Sequence, residues 1–555
     1  MKAGDAIVSY QIICPYCFRE MEDDEVLFRS EKVNTGESGI IPDEYDDPED
    51  FQNRYQGDDK EEILRRYHDW EFFEAGPDAE YEAFWKRFNG TTEYDPIDAH
   101  LGVDAYLRRV IDPRNPEHQR YLRVQGTRQD GQPDYFIYDG QGMAIQIELA
   151  AGERCNRRVC RYCHNPLPTN YGKTPVKFIT VVGIVGSGKT VYLSQLLRGM
   201  SGYARKCGLA AMVTGPSVLN FRRENAVEAG EPLPGSTPEQ RLQQPLFYEL
   251  VRSLGNQRKS TETMVMYDVA GEVFKSPQLV MQYAPFVEHA DGVLMLIDPL
   301  QFDVVSSFLS DDQERDDPAQ ILSVIHHIVS HGDPDFKCDI PFAICISKVD
   351  KIMDILNDNL RDLLVRDVEG VKGANGFDLP EFNARAYNPV LKELNAFIQT
   401  HNMDLANQME ANYVQYSYFA FTALGCGVED GINENGEKYQ YPVGPVIPKR
   451  IEEPLLWMFY ALGYIKSNEH IGAVYCPKCG GKTYELPKSE RTLVIKKGLF
   501  GIGRREEPVN RGCLNPECGY RWYFTGEDDG PDAAVEREQL RRRRQNPPDN
   551  GIPPA

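Results

Sequence analysis

The sequence predicts an α/β protein: a largely parallel sheet with crossover helices, cysteine-paired modules on both flanks and an inserted α+β region. Three observations predict it. The stretch KFITVVGIVGSGKTVYLSQLL, 177–197, passes from a β-branched strand through a glycine-rich turn into a leucine-spaced helix. From about residue 173 to 466, apolar strands alternate with helical segments, the pattern of a parallel sheet. Cysteine pairs stand on both sides of that region.

The chain has 555 residues, enough for several domains, and a formal net charge of −24. That charge argues against non-specific attraction to nucleic acid or to anionic lipid. The N-terminus lacks the apolar stretch and small-residue cleavage site of a signal peptide, and no run reaches the roughly 18 to 20 apolar residues of a membrane span. A cytoplasmic location is therefore expected. Thirteen cysteines in such a reducing compartment read as metal ligands before disulfides.

Four regions follow in order. Residues 1–172 begin and end with Cys-x-x-Cys and enclose an acidic, aromatic-rich insert. Helical patterning is expected over KEEILRRYHDWEFFEAGPDAEYEAFWKRF, and a hairpin turning at Asp139-Gly140 over DYFIYDGQGMAIQIELA. Residues 173–466 form the α/β domain, 470–525 hold the last four cysteines, and 526–555 read as a disordered tail.

The loop Gly183-Ile184-Val185-Gly186-Ser187-Gly188-Lys189-Thr190 fits G-x-x-x-x-G-K-[ST], the phosphate loop of P-loop NTPases. Its glycines let backbone N–H groups line a concavity, and the helix N-terminus adds partial positive charge. The backbone from Gly183 to Val191 is expected to hold the phosphates, Lys189 to reach the β- and γ-phosphates, and the Thr190 hydroxyl to hold Mg²⁺. In TMVMYDVAGE, Asp268 ends a strand, where a carboxylate holds Mg²⁺ through water. Gly271 follows and lets its N–H approach a γ-phosphate. Three more strands end in polar residues: HADGVLMLIDP, IPFAICISKVD with Ser347-Lys348-Val349-Asp350, and YSYFAFTALGCG with Thr422-Ala423-Leu424. All would meet at the carboxyl edge of the sheet, where such folds bind ligands.

This order of motifs resembles the TRAFAC-class GTPases, the Ras- and translation-factor-like branch of P-loop proteins, over roughly residues 175–465. The resemblance implies GTP and GDP as ligands, with Mg²⁺. Asp350 matches the aspartate that accepts hydrogen bonds from the guanine N1–H and 2-amino groups, and Thr422-Ala423-Leu424 matches the loop whose backbone contacts the guanine oxygen. Ser347 stands where the family carries Asn or Thr, removing one usual brace, and Lys348 matches the family lysine. The resemblance further implies a switch threonine, which is placed at Thr237 with Ser236 and Thr214 as alternatives. That placement takes PLFYELVRS as the edge strand, and leaves a longer segment between Thr190 and Thr237 than in minimal family members. Lys189, Thr237, Gly271 and Glu272 are then the catalytic set, with Thr190, Thr237 and Asp268 around Mg²⁺. Glu272 occupies the place of a water-orienting Gln, and its charge opposes a γ-phosphate. Val185 puts a side chain where some members have Gly. Both imply slow hydrolysis without a partner.

Cys476 and Cys479 with Cys513 and Cys518 have the spacing of a zinc ribbon, with TLVIKKGLFGIG as an intervening hairpin. Cys14 and Cys17 are expected to join Cys160 and Cys163 in a split ribbon, giving about two Zn²⁺ per chain. Cys155 is read as a structural thiol and His164 as a spare ligand; Cys345 is expected in the core and Cys338 at the periphery. A GTPase of this branch flanked by zinc ribbons resembles the bacterial double-GTPase proteins associated with conflict and defence gene clusters. That resemblance implies companion proteins, a second GTPase or a homodimer. Two rival readings are a signalling-type P-loop ATPase, which Asp350 and Thr422-Ala423 oppose, and a non-catalytic zinc-ribbon scaffold.

Overall fold

The computed structural model describes residues 11–539 except 35–57, 90–104, 169, 185, 236–241, 243, 256–257, 303–304, 306–316, 334, 433–435, 437, 497–503, 534 and 537. A seven-stranded sheet forms its centre. Numbered within this sheet, the strands are β1 (Val176–Gly183), β2 (Leu209–Val213), β3 (Leu246–Gly255), β4 (Arg258–Asp268), β5 (Gly292–Ile297), β6 (Phe342–Ile346) and β7 (Tyr416–Ala420). Their spatial order is β2-β3-β4-β1-β5-β6-β7. β4, β1, β5, β6 and β7 run parallel, while β3 is antiparallel to both β4 and β2.

The sequence dictates most of this. β5 and β6 are apolar throughout and buried at every position, as strands covered on both faces must be. Helix α1 (Lys189–Lys206) buries Tyr192, Leu193, Leu196, Leu197, Met200 and Ala204, a stripe at helical spacing that packs on the sheet. Close packing also explains Gly292, because a Cβ there would lie 2.4 Å from the Met458 sulfur of helix Glu453–Ala461.

One expectation is corrected. PLFYELVRS forms β3, but β3 is not the edge of the sheet. The long segment after α1 supplies β2 and helix α2 (Ser217–Glu224), and β2 lies outside β3. LAAMV is short and mostly solvent-facing, so its pattern carries little strand signal.

The N-terminal module builds a three-stranded sheet in which Leu27–Arg29 lies between Arg157–Val159 and Val110–Ile111. Helices Asp58–Phe72 and Ala79–Asn89 occupy the patterned insert, and the buried Trp85 donates Nε1–H to Asn165 at 3.0 Å. The hairpin at 136–148 forms, with its turn running from Asp139 to a left-handed Gly142. This module seats on the central sheet. Phe18 packs on Phe178, Tyr267 and Phe286 and stacks on His289 with ring centroids 5.2 Å apart. Tyr267 donates its hydroxyl to the Pro15 carbonyl at 2.9 Å.

The C-terminal module has strands Thr483–Glu485, Arg511–Cys513 and Arg521–Trp522, and the hairpin Thr492–Lys496 with Arg504–Pro508. Two further expectations are corrected. Cys338 is buried, because its backbone bridges Tyr413 and bonds Asn412 and Val414. The tail does not leave the core at 526: Tyr460 donates to Asp528 at 2.8 Å, and His470 Nδ1 lies 3.2 Å from Asp529. Residues 540–555 lie outside the described residues.

Candidate functional site

Register places the motifs along one edge. Val181 of β1 stands beside Asp268 of β4, and Gly183 beside Leu296 of β5. Ile297 stands beside Ile346, and Ile346 beside Ala420. The glycine loop, Asp268, Asp298, Ser347 and Thr422 therefore leave the sheet at its carboxyl edge. β1 stands between β4 and β5: the chain leaves it for β2 on one side, returns through β3 to β4, and then crosses over to β5 on the other side, so β1 lies where the strand order reverses.

Gly186 and Gly188 hold φ of +76° and +75°, the left-handed region in which a side chain is strained. Gly183 has a different reason: a Cβ there would lie 2.4 Å from the Ser187 hydroxyl oxygen. The turn is closed by Ser187 N–H donating to Ile184 O at 3.0 Å and pinned to β5 by Ile184 N–H donating to Leu296 O at 3.2 Å. α1 begins at Lys189, with Thr190 and Val191 in its first turn. Tyr192, the next residue, is buried and stacks on Phe421 with centroids 4.6 Å apart. Lys189 and Asp268 are both buried, and the ammonium is ion-paired with the carboxylate. A helix N-terminus, a glycine-lined turn and a lysine together make an anion site. Gly271 is buried and Glu272 half-buried in a short 3₁₀ turn, Gly271–Lys275, that begins three residues after Asp268. Val185, Thr237 and Ser236 lie outside the described residues. Thr214 directly follows β2, its N–H donating to Phe247 O at 3.2 Å.

The second half of the edge is tied to the first. Ser347 donates both its N–H and its hydroxyl to Ile297 O, at 2.9 and 3.1 Å, so the smaller side chain still braces the loop, against the neighbouring strand. Lys348 has φ of +47° and pairs with Asp298 at 2.8 Å. A Cβ built at Gly188 would lie 3.7 Å from Lys348 Cε, so the lysine stem borders the glycine loop. Val349 N–H donates to Phe421 O at 3.2 Å, bringing the Ser347–Asp350 and Thr422–Leu424 loops together. Asp350 is exposed. Burial first, and the Asp350 charge second, push the nearby Cys426 thiol up. The Thr422 hydroxyl accepts from Gly425 N–H at 3.1 Å, Thr422 pairs with Lys449, and Leu424 O accepts from Ile447 N–H at 2.7 Å. Ala423 is half-buried between them.

Two features of this edge escaped the sequence reading. Asp298, buried at the end of β5, was visible in LMLIDP, but nothing in one dimension says what it faces. The hairpin Gly427–Ile432 with Lys438–Val443, just after the Thr422 loop, binds the segment after α2: Gly230 N–H donates to Pro442 O and Leu233 N–H to Gln440 O.

Eight of the thirteen cysteines gather as two groups of four, each with all sulfurs within 4.8 Å. Cys14 and Cys163 are 3.7 Å apart, as are Cys17 and Cys160. Cys476–Cys518 and Cys479–Cys513 are 3.9 and 3.3 Å apart. A tetrahedron with Zn–S bonds of about 2.3 Å has edges of about 3.8 Å, so both groups fit a tetrahedral thiolate site. Backbone N–H groups of Tyr16, Tyr162 and Asn515 donate to Cys14, Cys160 and Cys513 sulfurs at 3.4 Å. Cys155 is buried outside these groups. His164 turns away as well, with Nδ1 2.7 Å from Asp78, whose carboxylate also takes Arg29 at 2.8 Å. It is therefore no spare ligand of the Cys14 group.

No protein-family model matches the chain. Among curated proteins, it is 27% identical over 223 residues to the putative ESX-1 scaffolding and assembly protein SaeC of Mycolicibacterium smegmatis, a match spanning 38% of this chain and 53% of that protein. The chain thus spans about half the length of that relative. Among solved structures, it is 12% identical to elongation factor SelB of Methanococcus maripaludis bound to a GTP analogue, covering 45% of this chain and 30% of that one with a TM-score of 0.17. It is 12% identical to the Ski7 GTPase-like domain of S. cerevisiae bound to GTP, covering 60% and 64% with a TM-score of 0.24. Sup35 bound to GDP is 11% identical, with 62% of each chain covered and a TM-score of 0.19. Those scores are too low for the alignments to say anything about this site. Among the described residues, no helix is long and apolar enough to cross a membrane.

Proposed function

We propose that the chain is a guanine-nucleotide switch that binds GTP with Mg²⁺ and hydrolyses it slowly to GDP and phosphate. One observation carries this reading. The glycine loop, Asp268, the Ser347–Asp350 loop and the Thr422–Leu424 loop converge at one sheet edge, with Lys348 bordering Gly188 and Val349 bonded to Phe421.

Lys189 supplies positive charge to the β- and γ-phosphates, and Thr190 and Asp268 are the residues to hold Mg²⁺, which would neutralise charge on the phosphates. Asp350 accepts from the guanine N1–H and 2-amino groups, where adenine offers no matching donor pair. Ala423 and its neighbours present backbone to the guanine oxygen. Gly271 closes on the γ-phosphate, and Thr237 joins it as the switch threonine. The Glu272 carboxylate repels that phosphate, which keeps intrinsic turnover slow and leaves room for acceleration by a companion protein, a second GTPase or a second copy. The two cysteine groups hold one Zn²⁺ each and serve as docking modules. A place in a bacterial defence or conflict system follows from the resemblance to double-GTPase proteins, and the word "scaffolding" in the name of the SaeC relative is in keeping with a docking role.

Titration calorimetry with GTP, GDP, ATP and ADP, with and without Mg²⁺, tests the reading. Guanine nucleotides should bind far more tightly, by up to roughly 10⁴. Equal affinity for ADP and GDP would mean that the Ser347–Asp350 segment is only a loop.

A further inference from the structure

The Lys348–Asp298 pair joins two parts of the edge that no motif connects. Asp298 follows the last residue of β5 and is 5% exposed. Its Oδ2 accepts from Lys348 Nζ at 2.8 Å, and its Oδ1 accepts from Leu300 N–H at 3.0 Å. Lys348 is held in a left-handed conformation, an uncommon state for a residue with a side chain. The adjacent Ser347 is bonded to Ile297, the residue before Asp298. Residues 297–298 therefore grip residues 347–348 at both backbone and side chain. With its ammonium on Asp298, the lysine stem borders Gly188, where a built Cβ would lie 3.7 Å from Lys348 Cε.

From this geometry we infer that Asp298 is a positioning residue for nucleotide binding: it anchors Lys348 and so fixes the spacing between the glycine loop and the Asp350 loop. The inference rests on the nucleotide-binding reading of the edge. The carboxylate acts through the lysine and touches no nucleotide itself. Without the anchor, a solvated lysine is free to leave Gly188, and the two loops lose their common strut. The nucleotide must then order them on binding, which lowers its affinity.

Asp298→Asn is the informative change, because the amide keeps an oxygen for Leu300 N–H and removes only the charge that holds Lys348. The experiment is equilibrium titration of fluorescent GDP and ADP analogues into the full-length wild type, Asp298→Asn, Lys348→Ala and the double variant, with thermal unfolding of each free protein. Loss of a hydrogen bond to a charged group predicts affinity roughly ten- to a hundredfold weaker for Asp298→Asn. The double variant should bind no more weakly than Lys348→Ala, since the two residues act as one unit. The unfolding temperature of free Asp298→Asn should stay close to wild type, whereas Lys348→Ala, which leaves the buried Asp298 carboxylate without its lysine, should lower it. Wild-type affinity in Asp298→Asn overturns the inference, as do losses that add in the double variant or a loss in Asp298→Asn that tracks its unfolding. Tight wild-type binding of ADP overturns the guanine assignment instead, and the Asp298 comparison is then read on ADP. Binding of neither nucleotide by wild type overturns both.

Discussion

Lys189 and Asp268 are ion-paired with each other in the buried floor of the candidate site. Each is the partner that the proposed ligand requires elsewhere: the lysine for phosphate, the carboxylate for Mg²⁺. The protein thus holds its two key charges in mutual neutralisation, and ligand binding becomes an exchange of partners.

That exchange makes a prediction about the free protein. Lys189→Ala should abolish tight triphosphate binding and also destabilise the unliganded chain by about 3–5 kcal/mol, because Asp268 is left buried without the lysine. Urea unfolding without nucleotide reads the second effect. Thr190→Ala should weaken chiefly the Mg²⁺-dependent part of binding. Normal Mg²⁺-dependent affinity in both variants would remove the phosphate site.

In the proposed reading, base identity rests on Asp350, an exposed carboxylate at the mouth of the edge. Asp350→Asn should cut GDP affinity and shift preference toward XDP, whose 2-oxo group accepts the bond an amide donates. The Lys189–Asp268 pair is untouched by that change, so diphosphate binding as XDP should survive. Calorimetric titration with GDP, XDP and ADP decides it; an unchanged GDP affinity would refute the role.

Metal analysis of the purified chain should find about two Zn²⁺, one for each four-cysteine group. Replacing Cys476 and Cys479 by Ser should remove one and destabilise the C-terminal module. An unchanged zinc count in that double variant would defeat the C-terminal assignment.

The Cys14 group should also support the central sheet, because its turn is bonded through Pro15 to Tyr267, the neighbour of Asp268. Cys14→Ser with Cys17→Ser is expected to lower the unfolding temperature of the whole α/β domain, followed by circular dichroism. Tyr267→Phe should cost only about 1 kcal/mol, the worth of one hydrogen bond, with zinc content unchanged. If the double cysteine variant unfolds at the wild-type temperature, the module is an appendage.

Arg450 and Glu453 form a second buried pair, with the arginine also donating to Leu363 O and Arg366 O. Burial pushes the Glu453 carboxyl up, opposed by Arg450. A raised folded-state value means that the folded chain favours the protonated acid. This group's stabilising contribution is therefore full below the ordinary carboxylate range and falls as pH rises through it. Glu453→Gln should flatten that dependence in urea unfolding measured across the acid range; an unchanged slope would assign the dependence to other groups.

The sequence by itself determined the features that lie within short stretches. Gly186 and Gly188 are required by their backbone conformation, Gly183 by the close approach of Ser187, and the fully apolar β5 and β6 by burial on both faces. The cysteine spacing announced two four-sulfur groups, including one whose halves lie more than 140 residues apart. Tertiary structure alone decided which side chains meet across the strands. Lys189 and Asp268 are 79 residues apart, and Lys348 and Asp298 are 50 apart. Tertiary structure also placed β2 outside β3, buried Cys338 and laid Asp528 on Tyr460. The physical reason is that periodicity and turn chemistry act over a few residues, whereas a parallel sheet joins strand ends through long crossovers. Which carboxylate faces which lysine depends on strand order and register, and these are settled only when the whole sheet packs.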